Sequence, residues 1–261
     1  MKAADGQLFV FITKFYVEIV ALIFLNKTSF YFLKIVAISD THCRHHSIKL
    51  PKGDVLVHAG DVSSRGLKAE ILDFLQWFGA QPFPHKIFIA GNHDFFFEKT
   101  KKGVIEPLLP TGVHYLNDSG VCINGINFWG SPVTPFFHNW AFNRQRGVAL
   151  RKHWNLVPNE TDVLITHGPP FGILDQVLNG RNNGDKDLLP CLQRVQPQVH
   201  LFGHIHESYG KVVRNGIRFF NCSQLNESYE LVNKPFVFDI KPKPAIDPAK
   251  AAFETAPPDG V

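Results

Sequence analysis

The sequence lacks the cysteine pattern of a disulfide-stabilised secreted protein. Its four cysteines, at positions 43, 122, 191 and 222, lie far apart and form no CxxC pair. With 261 residues, 44% of them hydrophobic, the chain can bury a sizeable core without cross-links. The pattern therefore predicts free thiols in a reducing compartment, and the expected location is cytoplasmic.

A strong excess of charge of either sign is also missing. Charged residues make up 19% of the chain, and the formal net charge is only +4. This mild positive charge is compatible with an anionic substrate. A long basic stripe of the kind that binds duplex nucleic acid is absent, so no duplex nucleic-acid partner is expected.

A long uninterrupted hydrophobic run is absent too. The most apolar stretch, residues 8–25, contains Lys14 and Glu18 and has no small-residue cleavage site of a signal peptide. Two central charges cost roughly 5 to 7 kcal/mol of insertion free energy, which offsets the roughly 4 to 8 kcal/mol from the apolar residues. For this N-terminal extension, residues 1–33, three interpretations stay open: upstream sequence read through before a start at Leu33, an added helix, or a membrane anchor.

The C-terminal residues 241–261, KPKPAIDPAKAAFETAPPDGV, are rich in proline, alanine and charge. A segment of this composition cannot bury much apolar surface, so it predicts a flexible tail. Between the two ends, residues 34–240 contain no internal repeat and no linker. They are expected to form one domain.

Short, nearly continuous apolar runs are abundant, at residues 34–38, 55–57, 87–90, 163–165 and 199–202. Such runs are typical of strands buried on both faces, and helical patterns at 67–78, 146–156 and 187–195 alternate with them. Strand–helix alternation predicts an α/β core. Further short strands at 121–129, 211–213, 217–221 and 236–240 look antiparallel, which predicts a mixed architecture of two facing sheets with helices outside.

Polar side chains of the ligand type follow each of the five buried runs. In chain order these are Asp40 and His42, then Asp61, then Asn92, His93 and Asp94, then His167, and finally His204 and His206. Ligands bind at the carboxyl ends of strands in open α/β sheets. We therefore expect all these side chains to converge on one rim of the fold.

The residue types at this rim indicate a metal site. Carboxylates, one amide and imidazoles, without a thiolate, suit Mn, Fe, Zn or Co better than Cu(I) or an iron–sulfur cluster. Asp40 and His42 are two residues apart, as are His204 and His206, a spacing that projects both side chains to one side of an extended segment. Seven or eight ligands are too many for one tetrahedral ion, and they fit two ions about 3.5–4 Å apart that share a carboxylate.

The ordered blocks DTH, GD, GNHD, HG and GHIH resemble the signature of the calcineurin-like metallophosphoesterase superfamily across residues 34–240. The stretches DTHCRHH, GDVLVHAGDVSSRG, THGPPFG and PFFHNWAFNRQRG are similar to the metallophosphoesterase-domain-containing group of phosphodiesterases. Any single block is weak evidence, whereas five blocks in order are strong. The resemblance implies a four-layer αββα sandwich with two facing mixed β-sheets, the calcineurin-like phosphoesterase fold.

The resemblance also implies a dinuclear metal centre in which Asp61 bridges the two ions. The implied ligand sets are Asp40, His42 and His206 for one ion, and Asn92, His167 and His204 for the other. His93 would face the phosphate and protonate the leaving oxygen, and Asp94 would orient His93. Many relatives carry glutamate at the position of Asp94, so its reach here is shorter.

Contacts with substrate are expected from Asn92 and His93. Arg65 could meet a phosphate or be an ordinary surface residue. Asn143 belongs to an aromatic segment that is either core or a base-stacking wall, with Phe136, Phe137, Trp140 and Phe142. The segment 43–46, Cys-Arg-His-His, is either a solvated loop or a rim that contacts substrate. No function is assigned to His58, His85, His114, His138, His153 and His200.

The predicted function is a metal-dependent phosphodiesterase for small substrates, with cyclic nucleotides among the candidates. A hydroxide bridging the two ions would attack phosphorus, and two manganese ions are the expected cofactor, with iron, zinc or cobalt as alternatives. No GxSxG nucleophile elbow is present. The competing interpretations are a nuclease or phosphomonoesterase on the same dinuclear site, and a metal-stabilised scaffold without turnover. The physiological substrate, the native metal pair and the oligomeric state stay open.

Overall fold

The structure is a computed structural model that describes residues 32–243. The expectations for the N-terminal extension, and for all but the first three residues of the C-terminal tail, lie outside the described residues. Within residues 32–243, no helix has the length and hydrophobicity needed to cross a membrane.

The first sheet has five strands in the order β13-β1-β2-β3-β4. They are β1 (Leu33–Ile38), β2 (Val55–His58), β3 (His85–Phe88), β4 (Val113–Tyr115) and β13 (Phe236–Ile240). The first four run parallel, and β13 pairs antiparallel with β1 at one edge. All four residues of β2 are buried, because the sheet is covered on both faces. The predicted near-continuous apolar runs have this origin.

The second sheet has six strands in the order β11-β12-β10-β9-β6-β5. They are β5 (Ser119–Ile123), β6 (Ile126–Ser131), β9 (Val163–Thr166), β10 (Val199–Phe202), β11 (Gly210–Arg214) and β12 (Ile217–Asn221). A separate two-residue pair joins β7 (Thr134–Pro135) to β8 (Asn143–Arg144). Parallel strands therefore occupy the centre of the sheet, and a hairpin closes each edge.

The two edge hairpins are made by Asn–Gly turns. Asn124 and Gly125 join β5 to β6, Asn215 and Gly216 join β11 to β12, and all four residues have positive φ, between 49° and 80°. Positive φ at both central residues is the requirement of the type I′ hairpin turn, which asparagine and glycine meet at low cost. These turns set the register of both antiparallel pairs.

The expectation that the later strands are antiparallel is only partly correct. β6 and β12 are antiparallel to their hairpin partners but parallel to β9 and β10 on their other side, whereas β13 pairs antiparallel with β1 as expected. A turn sequence specifies the pairing inside its own hairpin. The neighbour on the far side of each strand is chosen by packing between distant segments.

The predicted four-layer αββα sandwich is confirmed. Between the sheets, apolar side chains of β1–β3 pack against those of β6, β9 and β10. Helix α1 (Lys68–Ala80) covers the outer face of the first sheet. Helices α4 (Val148–Trp154) and α5 (Leu188–Val195) cover the second. Two short helices, α2 (Phe95–Lys99) and α3 (Lys102–Ile105), follow β3 and were not expected.

Helix α1 is anchored to the sheet by an aromatic cluster around Phe74. Its ring stacks on Phe78 with centroids 5.0 Å apart and meets Phe88 of β3 at 5.4 Å. Glu70 closes the N-terminus of the helix by accepting hydrogen bonds from the backbone N–H groups of Arg65 and Leu67 at 3.0 Å. The helix therefore holds the β2–α1 loop firmly against the sheet.

We expect Phe74→Ala to lower the free energy of unfolding by about 3–5 kcal/mol, because it leaves a cavity in a fully buried aromatic cluster. Leu72→Ala on the same helix is the matched control: this side chain is 40% exposed, and its loss should change stability by only about 0.5 kcal/mol. Urea unfolding measures both. Equal losses in the two variants would contradict this account of the outer layer.

Candidate metal centre

The carboxyl ends of strands from both sheets meet at one rim. The loop after β1 is joined to the loop after β2 by hydrogen bonds from Asp40 N to Gly60 O, at 2.9 Å, and from His42 N to Asp61 O, at 3.1 Å. In the second sheet, Gly203 N donates to His167 O at 2.9 Å. These bonds join the first predicted block to the second and the fourth to the fifth.

Left-handed backbone turns aim the polar side chains into the rim. Asp40, His42, Asp61 and His204 all have positive φ, between 40° and 70°. Such conformations are costly for residues other than glycine, and they concentrate at functional sites. The expectation that extended spacing aligns neighbouring ligands is therefore wrong. His206 also departs from it, because it begins a short 3₁₀ turn, His206–Ser208.

One group of converging side chains consists of Asp40, His42 and His206. The Asp40 carboxylate accepts hydrogen bonds from Ser223 Oγ at 2.7 Å and from His204 N at 3.0 Å. His206 Nε2 lies 3.5 Å from Asp40 Oδ1. Asp40 is therefore fixed by two donors, and the remaining lone pairs of its carboxylate face the imidazoles.

A second group consists of Asp61, His167 and His204. His167 Nε2 lies 3.3 Å from Asp61 Oδ2 and 2.9 Å from Asn92 Oδ1. The same Asp61 oxygen lies 3.6 Å from His42 Nε2. Asp61 therefore stands between the two groups, the position that a shared ligand needs. The sequence neighbours His204 and His206 go to different groups.

The donor set of these groups fits divalent cations. His167 Nδ1 lies 3.0 Å from Ala59 O, and His206 Nδ1 lies 3.0 Å from Asn226 O, so each ring donates its Nδ1–H to a backbone carbonyl. The Nε2 lone pairs then face carboxylate and amide oxygens, which is repulsive unless a cation lies between them. Histidines that ligate metals usually donate their other N–H in this way. His42 adds a buried imidazole with no hydrogen-bond partner among residues 32–243.

The pKa values of the histidines also indicate that positive charge is favoured at this site. Burial alone lowers the pKa of His167, but Asp61 outweighs burial and raises that pKa to about 9. Burial likewise opposes the effect of Asp40 on His206, whose pKa also rises to about 9. For His42, burial dominates and lowers the pKa to about 4. Protons on two imidazoles therefore fill the place that cations would take.

Glycines let the backbone approach the carboxylates closely. A Cβ built on Gly203 would collide with Asp40 Oδ2, and one built on Gly91 would collide with Asp61 Oδ1. A Cβ on Gly60, which has a φ of 100°, would lie 2.5 Å from His167 Nδ1. The glycines of the GD, GNHD and GHIH blocks are thus required by the space around the ligand-type side chains.

His93 stands beside the second group without belonging to it. Its backbone N–H donates to Asp61 Oδ1 at 2.8 Å, and its ring nitrogen Nδ1 lies 2.8 Å from Ser64 O. The ring stacks on Trp140, with centroids 4.3 Å apart, and meets His42 edge-on at 4.6 Å. Because Nδ1 donates to Ser64 O, Nε2 is the ring nitrogen available for a further contact.

The prediction that Asp94 orients His93 is wrong. The buried Asp94 carboxylate accepts hydrogen bonds from Gly91 N, Val62 N, Ser63 N and Ser63 Oγ, at 2.5–3.2 Å. Burial and the nearby charge of Asp61 raise its pKa to about 6. Asp94 therefore fastens the loop after β2 to the loop after β3, and it supports His93 only through that loop. The aspartate side chain is short, and it bonds to nearby backbone N–H groups instead of the His93 ring.

The other two predicted substrate contacts, Arg65 and Asn143, differ in their surroundings. The Arg65 side chain is exposed, and it makes no hydrogen bond or ion pair with the described residues. The side-chain N–H of Asn143 donates to Phe137 O at 2.7 Å, and its side-chain carbonyl oxygen accepts from Thr134 Oγ1 at 3.0 Å. Asn143 therefore shapes the aromatic segment from within.

The aromatic segment divides into core and surface. Phe142 is buried, whereas Phe136 and Phe137 are about half exposed. Trp140 is half-buried and reaches the site through its contact with His93. Ala141 N donates to Asn92 O at 3.0 Å, which ties the segment to the rim. Neither of the two expected interpretations, core or wall, covers the whole segment.

A calcineurin-like phosphoesterase family model matches residues 33–208 of the chain. The chain belongs to the calcineurin-like phosphoesterase family. Metallophosphoesterase domain-containing protein 1 of Homo sapiens is 41% identical over 232 residues, covering 80% of this chain and 71% of that protein. A UPF0046 protein of Caenorhabditis elegans is 39% identical over 224 residues, covering 81% and 77%. Membership indicates a hydrolase, and the family generally binds divalent metals, for which this rim has candidate ligand groups.

A solved structure supports the calcineurin-like fold independently. It superposes with a TM-score of 0.55 over 82% of this chain and 100% of that chain, at 14% sequence identity. At such low identity the likeness concerns the fold alone. It agrees with the two facing mixed sheets described above.

Three residues at the family site were missed by the sequence analysis. Tyr229 places its ring edge against His42 and His206, with centroids 5.1 and 5.2 Å away. Ser223 and Asn226 hold Asp40 and His206 by hydrogen bonds. They lie in the segment after β12. This segment contains none of the five blocks of the phosphoesterase signature. Only the positive φ of Tyr229, 58°, marks it as unusual, and φ is not visible in sequence.

Two buried histidines support the rim from behind. His58 Nε2 lies 3.0 Å from Thr41 Oγ1, and His200 Nε2 lies 2.8 Å from Thr166 Oγ1. Each threonine directly precedes a predicted ligand histidine. Burial lowers the pKa of both His58 and His200 to about 3, so both are neutral at physiological pH. They belong to the core and position the phosphoesterase loops.

We expect this burial to make stability depend on pH. The folded His200 is protonated only near pH 3, whereas an unfolded imidazole has a pKa of about 6.5, so unfolding takes up a proton between these values. Stability therefore falls as pH drops through this window, and His200→Gln should reduce the slope by up to about 1.4 kcal/mol per pH unit. Urea unfolding across a pH series measures it. Identical slopes would show that His200 titrates normally.

Proposed function

We propose that this protein is a metal-dependent phosphodiesterase that hydrolyses small phosphodiesters, with cyclic nucleotides as the first candidates. The observation that carries the proposal is the position of Asp61 between two groups of imidazoles, with one oxygen 3.3 Å from His167 and 3.6 Å from His42. A carboxylate so placed suits two ions that share it. Ligands of nitrogen and oxygen type favour manganese, with iron, zinc and cobalt as alternatives.

The protein side chains would divide the work of holding the ions. Asp40, His42 and His206 would hold one ion, and Asn92, His167 and His204 the other, with Asp61 common to both. Bound divalent cations would lower the pKa of water and neutralise the oxygens of a phosphate. Backbone carbonyls of Ala59 and Asn226 keep the imidazoles in the tautomer that offers Nε2.

His93 is proposed as the general acid that protonates the departing alkoxide. Its Nδ1 is fixed by Ser64 O, and its ring is clamped between Trp140 and the edge of His42. A ring held on three sides keeps Nε2 in one place at low entropic cost, which is the condition for efficient proton transfer. Trp140 is accordingly a positioning residue for His93.

The part of the substrate beyond the phosphate has a place to bind. A cavity of about 420 Å³ extends from His204 along Phe136 and Phe137 to Arg146. Arg146 donates to the carbonyl oxygen of Gly184 at 3.2 Å and lies 3.9 Å from Asp185 Oδ1, and its half-exposed guanidinium can still contact an anionic ligand. Half-exposed phenylalanine rings can stack on a base. The volume suits a nucleotide better than a macromolecule.

The partner and location follow from the same features. A cavity of this size and the weak net charge of +4 favour a small substrate over duplex nucleic acid. All four cysteines are free thiols. We therefore propose the cytoplasm as the location, in agreement with unpaired cysteines in a reducing compartment.

We expect Asp61→Asn to lose bound metal and phosphodiesterase activity together, because the amide cannot supply the shared negative charge. Elemental analysis gives metal per chain, and turnover is followed on an aryl diester, an aryl monoester and the 2′,3′- and 3′,5′-cyclic nucleotides with Mn²⁺. The matched control is Asp118→Asn, which breaks the peripheral pair with His153 and should keep both properties. Preference of the wild type for the monoester would contradict the proposal.

We expect His93→Ala to keep its metal content and to hydrolyse diesters with alkyl leaving groups about 10²–10⁴-fold more slowly. Diesters with good aryl leaving groups should lose much less, because their oxygen needs little protonation. Steady-state kinetics on both substrate types provide the comparison. A normal rate on the alkyl diester, or an equal loss on both, would remove His93 from the role of acid.

A further inference from the structure

A second group of metal-ligating side chains lies outside the family site. It consists of His45 and His46, in the 3₁₀ turn His45–Ser47, together with Asp73 of α1. His45 Nε2 lies 3.0 Å from Asp73 Oδ2, and His46 Nε2 lies 3.0 Å from Asp73 Oδ1 and 3.2 Å from Oδ2. Nothing in the proposed phosphodiesterase mechanism uses these three residues.

The three ligand atoms lie within 4.8 Å of one another, close enough to surround one ion. Ligand atoms about 2.0–2.1 Å from a tetrahedral zinc ion are about 3.3 Å from each other. The imidazole-to-carboxylate distances here, 3.0–3.2 Å, are close to that value. Two imidazoles and one carboxylate also form the donor set of open zinc sites, which leave a fourth position to water.

The group combines one rigid ligand with two accessible ones. His45 is fully buried, and its ring packs against Trp77 and Phe74 with centroids 5.0 and 5.7 Å away. His46 and Asp73 have side chains that are 58% and 51% exposed. A dissolved ion can therefore reach a pocket in which one ligand is already held in place, so little order must be created on binding.

Charge also favours a cation at this point. One carboxylate faces two imidazoles whose ring centroids are 4.5 Å apart, so protonating both rings would place like charges together. Burial and the neighbouring His46 lower the pKa of His45, against the opposing effect of Asp73. A single divalent cation would bind both nitrogen lone pairs and the carboxylate at once.

We propose that His45, His46 and Asp73 bind one divalent ion of the zinc class, separate from the dinuclear family centre. The ion fastens the loop after His42 to helix α1. The proposal does not depend on the phosphodiesterase function, because none of its ligands is shared with the family site.

The test compares the zinc content of the whole protein and its variants after equilibrium dialysis against Zn²⁺, by elemental analysis. His46→Ala removes an exposed ligand without disturbing the core, and it is expected to hold one zinc fewer per chain than the wild type. Across a series of free Zn²⁺ concentrations, the affinity lost should exceed the roughly 10–100-fold typical of an outer partner. His153→Ala is the matched control: it removes another histidine paired with an aspartate and should keep the wild-type count.

A second variant tests whether the Asp73 carboxylate is a ligand. Asp73→Asn should lose the same zinc ion, and the rise in Tm that Zn²⁺ causes should be smaller in both variants than in the wild type. An unchanged zinc count in His46→Ala would overturn the proposal. Retention of the ion by Asp73→Asn together with its loss from His46→Ala would equally overturn the three-ligand site. Family-site metals cancel in every comparison, because they are common to all the proteins.

Discussion

The constraint on which the structure depends is the burial of two carboxylates among imidazoles at one rim. Asp40 and Asp61 are almost completely removed from water, and burial of an isolated charge is prohibitively costly. Asp40 therefore accepts hydrogen bonds from a hydroxyl and a backbone N–H, Asp61 accepts one from a backbone N–H, and each carboxylate faces an imidazole whose Nε2 points at oxygen. Only positive charge between these groups makes the arrangement stable, whether from protons or from metal ions.

The fold can be understood as the frame that makes this arrangement possible. Parallel strands end at the same edge, and two facing sheets bring loops from distant parts of the chain within hydrogen-bonding distance. Glycines at positions 60, 91 and 203 remove the side chains that would collide with the ligand-type groups. The left-handed turns at the rim are unfavourable locally and are held by the bonds between loops. Packing of the whole sandwich therefore sustains the strain at its rim.

Residues at different distances from the rim support it. Buried His58 and His200 bond to the threonines that precede predicted ligands, and Asp94 fastens two of the loops together. Farther out, Asp73 of α1 holds His45 three residues beyond the first block. The outer helix, the first loop and the metal-binding rim are thus mechanically connected, although each uses its own set of contacts.

The sequence by itself determined the main buried strands and the principal helices, the fold family and the chemical type of the site. Apolar runs encode buried strands through local periodicity, and the ordered polar blocks after them encode the ligand types. The tertiary structure alone decided which strands are parallel, that Ser64 and Trp140 hold His93, and that Asp94 does not. It also brought Tyr229 to the rim. These choices depend on contacts between residues far apart in the chain, and no local pattern carries that information.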